Sequence, residues 1–164
     1  MRTKGGEAIS SDFIETRLKF SPYIKEAVVW GEGRDYITGF INIDFGNVGS
    51  WAEDRMIPYT TYTDLSQQSA VEELILGEVR HVNTQLPKPM RLKRIILLYK
   101  LLDADDEELT RTGKVRRKFV YEQYINLIEA MYSGQKDLEV TGKVRYRDGH
   151  VGTITTKVKI LTVE

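Results

Sequence analysis

Val71, Leu74, Ile75, Val79, Val82 and Leu86 fall on one stripe at helical spacing, and Pro87 and Pro89 end the run. A helix over about Ser69 to Leu86 with one apolar face must lie against something. The apolar run Ile95-Ile96-Leu97-Leu98 soon follows, inside a stretch from Leu92 to Leu101 that reads as a buried strand. Ala27 to Trp30 and Tyr36 to Asp44 read as two more strands. The short turn Gly31-Glu32-Gly33-Arg34-Asp35 between them makes them antiparallel neighbours. A helix packed on such a sheet defines the layers. The expected fold is α+β: a small, mainly antiparallel sheet flanked by helices, with a C-terminal β-hairpin.

The remaining segments fill in this frame. Residues 1–10 read as a loop with Gly5-Gly6 as its flexible point. Ser10 or Ser11 can cap a short helix through about Phe20, with Phe13, Ile14 and Leu18 on one face. Val48 to Met56 offers a helical turn or two around Trp51, and Tyr59 to Asp64 is loop-like. A last helix is expected from about Val115 to Tyr132, with Phe119, Val120, Tyr124, Leu127, Ile128 and Met131 inward and Gly134 as its stop. Residues 1–134 are taken as one domain and 135–164 as a hairpin extension. In that hairpin, Leu138, Val140, Val144 and Tyr146 share a parity with Ile154, Val158 and Ile160. Cross-strand partners share a face, so paired positions must sum to an even number. A three-residue loop Arg147-Asp148-Gly149, pairing Tyr146 with His150, satisfies this and puts Gly149 at the left-handed position.

Composition excludes several functional classes. Lys+Arg and Asp+Glu both number 24, so nothing overall points to nucleic acid or an anionic surface. The absence of cysteine removes disulfides and thiolate metal sites. His81 and His150, far apart in unrelated contexts, argue against a zinc site, and no metal site is expected. No apolar run approaches the ~20 residues of a membrane span, and the N-terminus has no apolar signal core. The expected setting is cytoplasmic.

Two segments stand out chemically. Leu109-Thr110-Arg111-Thr112-Gly113-Lys114-Val115 places a lysine on a Thr/Gly turn ahead of a helix. Such a lysine is a mobile point charge suited to meeting an anion. Taken alone, a solvated lysine is the commoner outcome. A nucleotide P-loop is excluded, because it needs Gly five residues before the Gly-Lys pair and position 108 is Glu. The basic run Lys114, Arg116, Arg117, Lys118 is a weak nucleic-acid signal in a chain of zero net charge. The second segment is Lys4-Gly5-Gly6-Glu7-Ala8-Ile9 with Ile14-Glu15. Its glycines can bring backbone close to a ligand, though a plain flexible lead is the commoner outcome.

Together the two segments resemble AMP-forming acyl-CoA synthetases, the acyl- and aryl-adenylating superfamily. That family carries a Gly-Gly-Glu-x-Ile…Ile-Glu segment at the start of its small C-terminal domain and a Thr-x-(Ser/Thr)-Gly-Lys-(Ile/Val)-x-Arg segment near its end. Ser21-Pro22-Tyr23-Ile24, Val48-Gly49-Ser50-Trp51-Ala52-Glu53 and Tyr62-Thr63-Asp64-Leu65-Ser66 are similar to the long-chain fatty acyl-CoA synthetase branch. The resemblance covers roughly residues 2–132. It implies two steps: a carboxylate attacks the α-phosphate of ATP with Mg2+ present, and the thiol of CoA then displaces AMP. It implies that Lys114 is catalytic in the first step, on a turn shaped by Thr112 and Gly113. It implies that Gly5 and Gly6 border the pantetheine passage of CoA in the second, the small domain rotating between the two. Glu7 and Arg117 match without an assigned chemistry; bracing the loops by ion pairing is the role left to them. Ser11 stands where the family usually has Pro.

The family's phosphate loop, adenine-side motif and ribose-binding aspartate belong to a large domain that this sequence lacks, and the hinge would fall upstream of Met1. The expected partners are therefore that N-terminal adenylate-forming domain and, through it, a fatty acid. No nucleic acid and no integral membrane segment are expected, while peripheral membrane contact through the full protein fits the branch. The chain alone is expected to be inactive, with no cofactor bound. A stand-alone binding or regulatory module with the same fold is the alternative.

Overall fold

The computed structural model describes residues 1–145 and 149–163. Its centre is a four-stranded sheet in the order β1 (Ile24–Trp30), β2 (Ile37–Ile43), β3 (Leu92–Leu97), β6 (Leu161–Thr162). β1 and β2 are antiparallel, β2 and β3 parallel, β3 and β6 antiparallel. The one parallel pair requires a long crossover, which α2 (Phe45–Asp54), α3 (Tyr62–Ser66) and α4 (Ser69–Thr84) supply. A separate ribbon, β4 (Asp137–Arg145) with β5 (Val151–Lys159), is the expected C-terminal hairpin.

Both faces of the sheet are buried, which is why its strands read as continuous apolar runs. Ala27, Val29, Ile37, Ile41, Ile43, Ile95 and Leu97 face α4 and α1 (Ser11–Leu18) through Val71, Ile75, Val79, Ile14 and Leu18. Val28, Trp30, Phe40, Ile96 and Leu98 face α5 (Arg117–Gln123), α6 (Ile125–Tyr132) and the ribbon through Val120, Leu127, Ile128, Met131 and Val158. Neighbouring residues alternate between the two cores, as strand geometry demands.

Several expectations need correction. Residues 1–9 form a small hairpin rather than a loop, with Arg2 bridged to Ala8 and Ile9 N–H donating to Met1 O at 2.8 Å. α2 starts at Phe45, because the Asp44 carboxylate accepts from Asn47 N–H and caps it there. Tyr62 to Ser66 is helical, since the Thr61 hydroxyl caps it by accepting from Asp64 N–H. The strand from Leu92 stops at Leu97 rather than Leu101. The last helix begins at Arg117 and breaks at Tyr124, whose ψ of 25° ends one segment and starts the next. Phe13 is 42% exposed, with the Arg17 guanidinium over its ring, and Leu74 and Phe119 are only half-buried.

The ribbon register places Leu138 opposite Val158 and Arg145 opposite Val151, which is the even parity expected, and Gly149 has φ +86°. The loop residues 146–148, and with them the pairing of Tyr146 with His150, lie outside the described residues.

Candidate functional site

The two glycine-bearing segments fold into turns of the same type. In the first, Gly6 N–H donates to Thr3 O at 3.0 Å and Thr3 N–H donates to Glu7 O at 3.1 Å. In the second, Gly113 N–H donates to Thr110 O at 2.9 Å and Thr110 N–H donates to Lys114 O at 2.7 Å. Each is a three-residue loop closed by a glycine in the left-handed region, with φ +84° at Gly6 and +87° at Gly113. The space around Gly6 and Gly113 is open, so backbone conformation, rather than crowding within this chain, is what calls for glycine. Gly5 has an ordinary φ, and a Cβ there would only touch Thr3 Oγ1 at 3.9 Å.

Hydroxyls tighten the lysine turn. Thr110 Oγ1 accepts from Lys114 N–H at 3.0 Å and lies 3.1 Å from Thr112 Oγ1. Leu109 bridges to Val115, and Arg116 N–H donates to Glu108 O at 2.9 Å, so the arms pair below the turn. Arg111, Thr112, Gly113 and Lys114 are all exposed. Among the described residues the Lys114 ammonium has no hydrogen-bond or ion-pair partner. Because α5 begins only at Arg117, the lysine is presented by a two-stranded turn and not by a helix N-terminus.

The first turn is held from the other side. Gly33 N–H donates to Arg2 O and Lys4 N–H to Arg34 O, both at 2.8 Å, which ties it to the turn after β1. Glu7 is exposed and forms no ion pair among the described residues; its backbone carbonyl closes the turn instead. Ser11 is the first residue of α1, a position that suits proline equally well, and the Ser10 hydroxyl caps that helix.

Arg117 does form a brace. Its Nη1 donates to Glu15 Oε2 at 2.5 Å and its Nη2 to Val29 O at 2.5 Å, while Glu15 Oε2 accepts Val29 N–H at 2.8 Å. The guanidinium lies 5.2 Å from the Trp30 ring centroid. β1 is an edge strand, and both backbone groups of Val29 are thereby capped by side chains. Burial raises the Glu15 pKa above the usual carboxylate range, opposed by the Val29 N–H and by Arg117. The brace joins the helix that follows the glycine turn to the helix that follows the lysine turn. Beside it lies a cleft of about 400 Å3, lined by Met1, Trp30, Arg34, Arg117, Lys118 and Tyr121.

Thus the lysine and glycine turns sit on one body, joined through Glu15 and Arg117. The sequence matched Glu15 and Arg117 but did not pair them. Glu108, a buried carboxylate just below the lysine turn, was missed; its placement against Leu109, directly before the motif, is the only hint the sequence offers. No group of three or more His, Asp or Glu suited to a metal ion occurs among the described residues, and no described helix is long and apolar enough to cross a membrane.

The fold is thus a small α+β domain that presents two glycine-closed turns from one body. The chain belongs to the family of AMP-binding enzyme C-terminal domains, whose family model matches residues 3–136. It is 28% identical over 132 residues to the long-chain-fatty-acid–CoA ligase FadD15 of Mycobacterium tuberculosis, covering 80% of this chain and 22% of that protein. It is 25% identical over 131 residues to the putative fatty-acid–CoA ligase fadD11 of the same species, covering 79% and 23%. The chain therefore spans under a quarter of these relatives. Its fold also matches the A-PCP didomain of a carboxylic acid reductase from Segniliparus rugosus in complex with AMP. There the TM-score is 0.64 at 16% identity, over 81% of this chain and 17% of that one. The adenylation domain of a carboxylate reductase from Mycobacterium chelonae matches with TM-score 0.64 at 18% identity, over 81% and 19%.

Proposed function

We propose that residues 1–134 are the mobile domain of a long-chain-type AMP-forming fatty acid–CoA ligase, with 135–164 as a hairpin extension. The observation that carries this reading is the Lys114 ammonium, without a partner among the described residues and held out on a hydroxyl-tightened turn. In adenylation a carboxylate must approach a phosphate, and a cation placed between their oxygens offsets the repulsion. At about 4 Å and an effective dielectric near 20, one ammonium contributes about 4 kcal/mol to each contact. A lysine already bound to a carboxylate of its own domain would have to give up that partner first, and among the described residues Lys114 has none.

Gly5 and Gly6 border the pantetheine passage in this reading, and ATP and CoA are the co-substrates. Family membership and the ligase relatives support it. Mg2+ accompanies the nucleotide in this reading, and no group of three or more His, Asp or Glu suited to a metal ion occurs among the described residues. Residues 1–164 supply the lysine, the glycine turn and the brace between them, so alone they turn nothing over.

The test uses the protein carrying this chain behind its adenylating domain. Lys114→Ala should lower ATP–pyrophosphate exchange by about 100- to 1000-fold, the rate equivalent of 3–4 kcal/mol. Thioester formation from preformed acyl-adenylate should stay within threefold. Equal loss in both half-reactions would remove the lysine from its assigned step.

A further inference from the structure

We propose that Glu108 is the positioning residue of the lysine turn, a proposal that rests on the role given to Lys114 above. Glu108 is 1% exposed. Its Oε1 accepts the Lys100 ammonium at 2.6 Å and Asp103 N–H at 3.1 Å, and its Oε2 accepts the Tyr124 hydroxyl. Its backbone is equally committed: N–H donates to Asp103 O at 3.0 Å, and C=O accepts from Arg116 N–H at 2.9 Å. One residue therefore fastens both arms of the lysine turn to the segment after β3 and to the break between α5 and α6.

Those fastenings are themselves fixed to the sheet. Asn42, buried on β2, donates to Lys100 O and accepts from Leu102 N–H, both at 2.9 Å. Lys100 also pairs with Asp106 at 2.5 Å. Above Glu108 the structure changes character, since the tip from Arg111 to Lys114 is exposed and hydrogen-bonds mainly within itself.

A carboxylate does here what an apolar residue could not. A buried leucine would hold the arm down and leave its tilt loose. A buried carboxylate must keep its donors, because leaving it unpaired is costly. Three donors from different directions fix orientation as well as depth. The arm from Glu108 to the turn is roughly 10 Å long at ~3.3 Å per residue. A tilt of about 10° would then displace the lysine by about 2 Å, and a misplacement of about 1 Å is enough to cost ~100-fold in rate.

Glu108→Gln keeps the size of the side chain and removes the charge. In the protein carrying this chain behind its adenylating domain, adenylate formation should fall at least tenfold. Thioester formation from preformed acyl-adenylate should stay within twofold. In a Lys114→Ala background the same change should alter adenylation less than twofold, because Glu108 acts through the lysine. A merely structural role would slow both half-reactions and add to Lys114→Ala; that pattern overturns the proposal, as does unchanged adenylation. If Glu108→Gln does not fold, Tyr124→Phe, which deletes one donor, carries the test with an expected loss of about threefold in adenylation alone. Hydrogen exchange on residues 1–164 reads positioning without activity. The Thr110 and Arg116 amides should lose protection at least tenfold in Glu108→Gln while β2 amides are unchanged, and no loss there overturns the proposal. If instead Lys114→Ala alone leaves adenylation intact, the role of the lysine is what has failed, and exchange still decides what Glu108 does.

Discussion

Removing Arg117 isolates the tie between the two turns. In Arg117→Ala, Glu15 loses a guanidinium at 2.5 Å and Val29 O loses its donor at 2.5 Å. Glu15, 13% exposed at its side chain, keeps only Val29 N–H among the described residues. Breaking a fully buried pair costs about 3–5 kcal/mol, but the Arg117 side chain is 36% exposed and solvent screens it. A lost hydrogen bond to a carbonyl adds about 1 kcal/mol, and the cation over Trp30 about 0.5–1 kcal/mol. The expected net loss is about 2–3 kcal/mol, or a Tm lower by about 5–10 °C for a domain of this size. Urea unfolding with an unchanged m-value should report it, and a double-mutant cycle with Glu15→Gln should give a coupling of about 1–2 kcal/mol. The pH dependence has a definite sign. Burial holds the folded-state pKa of Glu15 above its unfolded value, so above the ordinary carboxylate pKa the unfolded chain binds fewer protons and stability falls as pH rises. Without Arg117 that fall should steepen. A loss under about 0.5 kcal/mol with zero coupling would mean the pair is an ordinary surface contact, and the reasoning would be wrong.

Other substitutions probe other parts of the structure. Gly113→Ala should cost about 1–2 kcal/mol through its φ of +87°, read as a lower thermal midpoint without any change in the core. Gly142→Ala would place a Cβ 2.3 Å from Tyr99 Cε2 and should cost about 1–3 kcal/mol by overpacking; in a Tyr99→Ala background the penalty should vanish. Burial likewise raises the Glu72 pKa, against the pull of Lys159. Glu72→Gln should therefore flatten the decline of urea midpoint from about pH 4.5 upward, and an unchanged slope would place that carboxylate in solvent.

What the sequence disclosed tracks the range of the forces involved. The α4 stripe and the β1–β3 apolar runs were legible because burial repeats along the chain with a fixed period, and the ribbon parity followed from the same logic. The parallel pairing of β2 with β3 was not, because it depends on how residues 44–91 cross over the sheet. Neither was the closing of β6 onto β3, only two residues long. At the site, the glycines of both turns were visible in the sequence, but the turns' common geometry was not, since residues 1–9 carry no strand-like alternation. The pairing of Glu15 with Arg117 and the burial of Glu108 depend on contacts between distant elements, and charged residues are by default read as solvated. Tyr124 fitted the helical pattern well enough to hide the break that its hydroxyl contact with Glu108 accompanies.

The parallel β2–β3 pair also governs how the chain reaches this state. β2 is buried along its whole length, Ile37 to Ile43, yet its β3 edge stays open until the crossover has been ordered. Loop-closure entropy must be overcome before that pairing is rewarded, so topology of this kind places folding toward the slower end for small domains. During that interval a seven-residue, β-prone segment with four large apolar residues and no proline or charge is available to other chains. Refolding yield should accordingly fall as protein concentration rises, even in variants whose equilibrium stability is unchanged.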